Sequence, residues 1–166
     1  MYGVNQTEYE WVKQTRELIF DFCSELDPND FRRQVDGFGF QSMRDSLVHI
    51  SDCYHAWLGS YVLLKTKKPI TTKEDLTEMD LDEIKVRFDQ VDLYVKEVFE
   101  VFSNHMDEPI QRTIPWRVAG EIISITPGKL LMHTITHEFH HKGQIVAMAR
   151  QMGYEPPNTD VLGTRD

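Results

Sequence analysis

The stretch TPGKLLMHTITHEFHHKGQIVAMARQMG, residues 126–153, decides the fold of this 166-residue chain. It carries the boundary signals of one long helix. Thr126 can cap the N-terminus, and Pro127 suits the first helical position, because a missing N–H costs nothing there. Gly153 can take the left-handed conformation that ends a helix, and the two prolines that follow prevent its continuation. The sequence therefore predicts a helix between these signals.

Apolar residues on this helix recur at steps of three and four and form one inward stripe. The stripe consists of Leu130, Thr134, His137, His141, Ile145, Met148 and Met152. His137 and His141 are one turn apart, so both point towards the interior. A buried neutral imidazole needs a hydrogen-bond partner or a metal ion. The spacing therefore favours two ligands of one metal site, which is half of a tetrahedral set. The alternative is that both are core histidines that hydrogen-bond to other side chains.

Three further amphipathic segments predict the remaining helices. They cover about residues 7–26, 42–64 and 81–104. Thr7 with Glu10 and Ser42 with Asp45 have the spacing of N-terminal capping residues. The connection 65–79 is predicted to be a polar loop. Residues 109–125 are predicted to form a short hairpin or an extended excursion that leads into the last helix. We expect an all-α four-helix bundle in one domain over residues 1–166, and its long connections could cross over.

His49 lies at the edge of the buried face of the second helix, beside the small side chain of Cys53. Spacing alone leaves two interpretations open: a metal ligand, or a partly exposed histidine bonded to a neighbour. His55 falls on another side of the helix and is predicted to lie at the surface. Asp52 could orient the His49 ring, but the expected role is a solvated carboxylate.

Composition excludes several classes of partner. The net charge of −9 argues against binding nucleic acid through phosphates, which needs a basic face. The sequence contains no run of about 18 apolar residues, so no membrane span is predicted. The stretch MYGVNQTEYEW lacks the basic and apolar segments of a signal peptide. Cys23 and Cys53 form no CxxC pair and are predicted to be half-buried thiols in a reducing cytoplasm. We expect a cytoplasmic protein with neither a nucleic-acid nor a membrane partner.

Residues 137–141, HEFHH, match the H-E-x-x-H pattern in which two histidines bind zinc and the glutamate is the general base of a peptidase. No histidine follows residue 141, and Asp160 is the one tail carboxylate considered as a third ligand. Glu138 lies one position off the inward stripe, so a flank position competes with an aimed base. A peptidase is therefore a distant alternative.

Two stretches carry a family resemblance. HTITHEFHHKGQIVAMARQMGYEPPNTD, residues 133–160, resembles the C-terminal helix motif of the DinB/YfiT-like family. SLVHISDCYHAWLG, residues 46–59, is similar to the first metal-binding helix of that family. The resemblance extends over nearly the whole chain. It implies a four-helix bundle that holds one divalent metal through three histidines, carried over to His49, His137 and His141.

Positions around these histidines follow the family pattern with one departure. His133 and His140 flank the pair and are not ligands in that pattern. Lys142 stands where the family usually has arginine. Gln144 matches a family glutamine, and it could support the site by hydrogen bonding or only pack. No residue is assigned as catalytic.

Three neutral imidazoles with an open position make a Lewis-acid site. Imidazole alone does not select the metal, and zinc or nickel is expected. The resemblance implies an S-transferase that joins a low-molecular-weight thiol to a small-molecule substrate. A metal-dependent hydrolase and a non-catalytic metal-binding bundle are the alternatives. The family often forms homodimers, to which Trp57 or Tyr61 could contribute.

Overall fold

A computed structural model describes residues 3–166 and shows a bundle of four long helices with one small hairpin. In chain order the elements are α1 (Gln6–Ser24), α2 (Pro28–Arg32), α3 (Met43–Tyr54) with a π-helical continuation (His55–Val62), α4 (Lys73–Glu78), α5 (Leu81–Val101), β1 (Ile110–Arg112), β2 (Ile123–Ile125), α6 (Pro127–Gln151) and a 3₁₀ turn (Val161–Gly163). Helix α3 packs against α5 and α6, and α1 packs against α5. The predicted all-α bundle is confirmed. Within residues 3–166, no helix is both long and apolar enough to cross a membrane.

Helix α6 begins and ends at the predicted residues. The Thr126 hydroxyl accepts a hydrogen bond from the Lys129 N–H, and Pro127 occupies the first turn. Gly153 has a φ of +89°, a left-handed conformation that glycine adopts without a Cβ clash. Ser42 likewise caps α3 by accepting from the Asp45 N–H at 3.0 Å.

The predicted cap of the first helix was wrong. Asn5 is the N-cap, and its side chain accepts from the backbone N–H groups of Thr7 and Glu8. Glu8 in turn accepts from the Asn5 N–H at 2.6 Å, which completes a capping box. Asn5 and Glu8 have the same spacing as Thr7 and Glu10, and asparagine is at least as good an N-cap as threonine.

The predicted hairpin before α6 is confirmed. Strands β1 and β2 pair antiparallel, with Ile110 opposite Ile125. Tyr61 is fully buried at the end of the π-helical segment, and its hydroxyl faces the carbonyls of Ile110 and Ile123 at 2.8 and 3.0 Å. Tyr61 therefore anchors the hairpin to the bundle. Its side chain is therefore not exposed on the surface of this chain.

Two polar residues of α3 and its continuation are buried, against prediction. His55 is 8% exposed, and its Nε2 atom lies 3.2 Å from the carbonyl oxygen of Arg87. Asp52 accepts from the Thr71 hydroxyl at 2.7 Å and from Arg87 at 2.6 Å. Helical periodicity could not reveal this, because α5 and the loop before α4 cover that side. The Asp52 carboxylate holds the loop, so its expected roles as a solvated group or as a partner of His49 do not apply.

The π-helical segment approaches α5 closely at Gly59. A Cβ atom at this position would lie 2.6 Å from a ring carbon of Tyr94. Glycine is therefore required for the present spacing between the two helices. The same segment continues the helix that carries His49, so this contact fixes the far end of that helix.

Candidate metal centre

Helices α3 and α6 bring three histidines together. His49 comes from α3, and His137 and His141 come from successive turns of α6. Their ring centres lie 4.8 Å (His49–His137), 4.7 Å (His49–His141) and 4.5 Å (His137–His141) apart. One nitrogen from each ring lies within 4.8 Å of the other two. These three residues could therefore hold a metal ion.

The distances between these nitrogens are close to the nitrogen–nitrogen distances in a site that holds an ion. With zinc–nitrogen bonds of about 2.0–2.1 Å, two nitrogens of a tetrahedral site lie about 3.3 Å apart. The observed upper limit of 4.8 Å thus requires a contraction of at most about 1.5 Å.

Hydrogen bonding prepares one of the three rings for metal binding, and a second ring has an unpaired nitrogen. His141 Nδ1 lies 2.8 Å from Gln144 Oε1, an acceptor, so the proton is on Nδ1 and Nε2 keeps a free lone pair. The Gln144 amide nitrogen lies 3.2 Å from His140 Nε2. His137 Nδ1 is buried and has no hydrogen-bond partner among residues 3–166. A buried polar atom left unpaired costs about 1–3 kcal/mol, which a bound ion or water would recover.

The electrostatic environment keeps these imidazoles neutral. Burial, together with His141, lowers the pKa of His49 to about 4. Burial and the neighbouring histidines lower the pKa of His137 to about 3. Burial also lowers the pKa of His141, although its bond to Gln144 opposes the change. At neutral pH all three rings are therefore in the form that can bind a metal.

The glutamate of the HEFHH motif faces away from solvent into a buried cluster of charges. Glu138 is fully buried, and its carboxylate accepts from Arg16 at 3.0 Å and from the Tyr54 hydroxyl at 2.7 Å. Lys142 Nζ lies 3.1 Å from the same carboxylate. Burial alone would raise the pKa of Glu138, but the charges of Arg16 and Lys142 and these hydrogen bonds lower it to about 2.

This arrangement corrects the sequence-based position of Glu138. The sequence left open whether the residue lies at the flank of α6 or is aimed at the site as a base, whereas it and Lys142 are more deeply buried than His137. Its carboxylate is engaged by three side chains, so it is not available as the base of a peptidase. Asp160 is exposed in the tail and is not part of the histidine cluster. Both observations argue against the H-E-x-x-H peptidase.

An aromatic side chain that sequence reasoning missed covers one side of the site. Phe40, in the loop before α3, stacks on His49 with ring centres 3.9 Å apart and an interplanar angle of 20°. It also meets His141 edge-on at 5.7 Å. Phe40 shields the His49 ring from water on that face. An aromatic residue two positions before the Ser42 cap was the only sequence signal for it.

A second aromatic group lies beyond His137. The His133 ring centre is 5.6 Å from that of His137, and Trp57 meets His133 edge-on at 6.2 Å. Trp116, from the hairpin, packs on Trp57 at 5.3 Å. Trp116 thus anchors its loop through Trp57, and this chain of rings links it to the three-histidine cluster.

Cys53 adds a sulfur donor beside this group. Its Sγ atom lies 3.7 Å from His133 Nε2. Burial, with the nearby carboxylates of Asp52 and Glu138, raises the pKa of the Cys53 thiol to about 12. Cys53 and Cys23 are both free and buried, where half-buried thiols were expected.

A family model and two curated relatives match this chain over most or all of its length. A family model described as "DinB family" matches residues 1–166. The chain is 25% identical over 160 residues to "Uncharacterized protein YizA" of Bacillus subtilis (strain 168), which covers 94% of this chain and 91% of that protein. It is 26% identical over 157 residues to "Protein DinB" of the same organism, with 92% and 88% covered. Neither description states a ligand or a reaction.

Proposed function

The chain belongs to the DinB family, and we propose that it binds one divalent metal ion and uses it to transfer a low-molecular-weight thiol to a small electrophile. The ligands are His49, His137 and His141. The observation that carries the proposal is their geometry: three neutral imidazoles whose nitrogens lie within 4.8 Å of one another. A bound zinc or nickel ion would lower the pKa of a coordinated thiol and so supply a nucleophilic thiolate.

The residues around the ligands have separate tasks in this proposal. Gln144 fixes the orientation and tautomer of His141 through the 2.8 Å contact at Nδ1. Phe40 stacks on His49 and excludes water from that side. Three protein ligands leave the fourth position of a tetrahedral site open for the substrate thiol.

The buried position of Glu138 removes one candidate general base for hydrolysis, although a bound zinc ion alone would lower the pKa of water to about 7. Activation of water needs a large change, because the pKa of bulk water is about 15.7, whereas that of a thiol is about 8.5. A thiol can therefore be activated by the ion without a general base. Glu138, the carboxylate next to His137 in the chain, is engaged by Arg16, Tyr54 and Lys142 and cannot assist a water molecule. Hydrolysis remains the alternative activity to test.

The proposed activity predicts a strict requirement for His137. Zinc-loaded protein is mixed with cysteine, glutathione or coenzyme A and the electrophile monochlorobimane. Transfer forms a carbon–sulfur bond and releases chloride, the thiol proton goes to solvent, and the fluorescent adduct is measured. We expect His137→Ala to lower the protein-dependent rate by more than about 100-fold. Loss of a direct metal ligand lowers activity more than loss of a residue that hydrogen-bonds to a ligand, which lowers it about 10–100-fold.

His105→Ala is the matched control for this assay. His105 is exposed at the end of α5 and contacts Glu108 at 2.8 Å, so its replacement should leave the rate unchanged. Turnover that survives in His137→Ala would contradict the proposal. Turnover of esters or amides without added thiol would identify a hydrolase instead. Bound metal without turnover in either assay would identify a non-catalytic metal-binding protein.

A further inference from the structure

A second pair of potential metal ligands lies next to the three histidines. Cys53 follows His49 by one helical turn on α3, and His133 precedes His137 by one turn on α6. Both steps are four residues, so each new residue lies on the same helix face as a histidine of the main cluster. The strip of donors between α3 and α6 therefore continues beyond the three-histidine centre.

The separation of this pair matches tetrahedral coordination. With zinc–sulfur and zinc–nitrogen bonds of about 2.3 and 2.0–2.1 Å, two such ligands at a tetrahedral angle lie about 3.6 Å apart. Cys53 Sγ and His133 Nε2 are 3.7 Å apart. The separation of the two atoms thus fits two ligands of one ion. A weak hydrogen bond from the thiol to the imidazole is the competing explanation of the same contact.

The surroundings of the pair permit an ion to enter and to be held. Cys53 is 8% exposed, whereas His133 is exposed and connects the pair to solvent. Thiolate with imidazole is a donor set for zinc, and cobalt and cadmium report on such sites. Burial keeps the thiol protonated without metal, so the pair is not a ready nucleophile. Binding forms the sulfur–metal bond and releases the thiol proton to solvent.

We propose that Cys53 and His133 form a second metal site for an ion of the zinc class, beside the three-histidine centre. Water completes the coordination. Two protein ligands bind more weakly than three, so this site fills after the first. The proposal does not depend on thiol transfer, because it concerns donors that the main centre does not use.

Cobalt(II) titration of the metal-free, untagged protein tests this proposal. Absorption by thiolate-to-cobalt charge transfer in the near ultraviolet reports only a sulfur ligand. We expect no such band with the first equivalent and a one-thiolate band with the second. The band should be lost in Cys53→Ser and require at least about 10-fold more cobalt in His133→Ala. It should be unchanged in Cys23→Ala, which removes the other buried thiol.

Two results would overturn the second site. One is the absence of a charge-transfer band at excess cobalt. The other is a band that saturates with the first equivalent, because Cys53 would then be a ligand of the main centre. A His49→Ala variant separates this proposal from the first. This variant should no longer bind the cobalt equivalent that gives no charge-transfer band. It should still bind the cobalt equivalent that gives the band.

Discussion

Replacement of Glu138 by alanine is expected to lower the free energy of unfolding by about 3–5 kcal/mol, because it leaves buried cations without their counter-ion. The Arg16 guanidinium and the Lys142 ammonium are both about as buried as Glu138 itself. Domains of this kind are stable by about 5–15 kcal/mol, so the variant would lose a large share of its stability.

The network around Glu138 explains the size of this effect. Arg16 contacts Glu138 through two nitrogens, at 3.0 and 3.1 Å, and contacts Asp92 at 2.8 Å. The Tyr9 hydroxyl donates to Asp92 at 2.6 Å. The guanidinium also lies over the Phe88 ring at 4.5 Å. Without Glu138, Arg16 keeps one carboxylate partner, the partly exposed Asp92. Lys142 then has no carboxylate partner among residues 3–166.

Urea unfolding of three variants measures this prediction. Glu138→Gln keeps the shape and part of the hydrogen bonding, so it should fall between the wild type and Glu138→Ala. Glu100→Ala removes an exposed glutamate that only pairs with Lys96 at 3.8 Å, and it should change stability by less than about 0.5 kcal/mol. A Glu138→Ala protein within 1 kcal/mol of the wild type would show that the cluster does not stabilise the fold.

Zinc is expected to raise the melting temperature of the wild type strongly and that of His137→Ala hardly at all. A ligand at 100 times its dissociation constant stabilises the folded state by about 2.7 kcal/mol. For a chain of this length that corresponds to roughly 5–11 °C. Without metal, His137→Ala should melt close to the wild type, because the replaced ring has a buried nitrogen with no partner among residues 3–166.

Differential scanning calorimetry with and without zinc measures these shifts. His105→Ala removes an exposed histidine that is not one of the three ligands. This variant should show the full wild-type shift in melting temperature. An equal zinc-dependent shift in His137→Ala would mean that zinc binds elsewhere on the folded protein. A wild type that does not respond to zinc, nickel or cobalt would contradict the metal centre itself.

Local sequence signals predicted the scaffold of the site. Thr126, Pro127 and Gly153 fixed both ends of α6, because caps and a left-handed terminus depend on a few neighbouring residues. Step-four spacing correctly placed His137 and His141 together. His49 could not be assigned from spacing alone, since an edge position suits either a ligand or a half-exposed histidine, and the family resemblance was needed to select it.

Long-range pairing was beyond these signals. The burial of Glu138 and Lys142 could not be predicted from nearby residues, because the partner that permits it, Arg16, lies more than 100 residues earlier. Asp52 and His55 are buried by α5 and the loop before α4 in the same way. Charged and polar residues bury when another element neutralises them, and helical periodicity contains no information about that element.

The metal content of the purified protein tests the central claim most directly. The chain should be prepared without a His-tag, dialysed, and analysed for elements beside His49→Ala, His137→Ala and His105→Ala, with circular dichroism to verify the fold. We predict one tightly held divalent metal per chain in the wild type and in His105→Ala, and none in the other two variants. No metal after reconstitution, or the same content in all four proteins, would contradict a metal centre formed by α3 and α6.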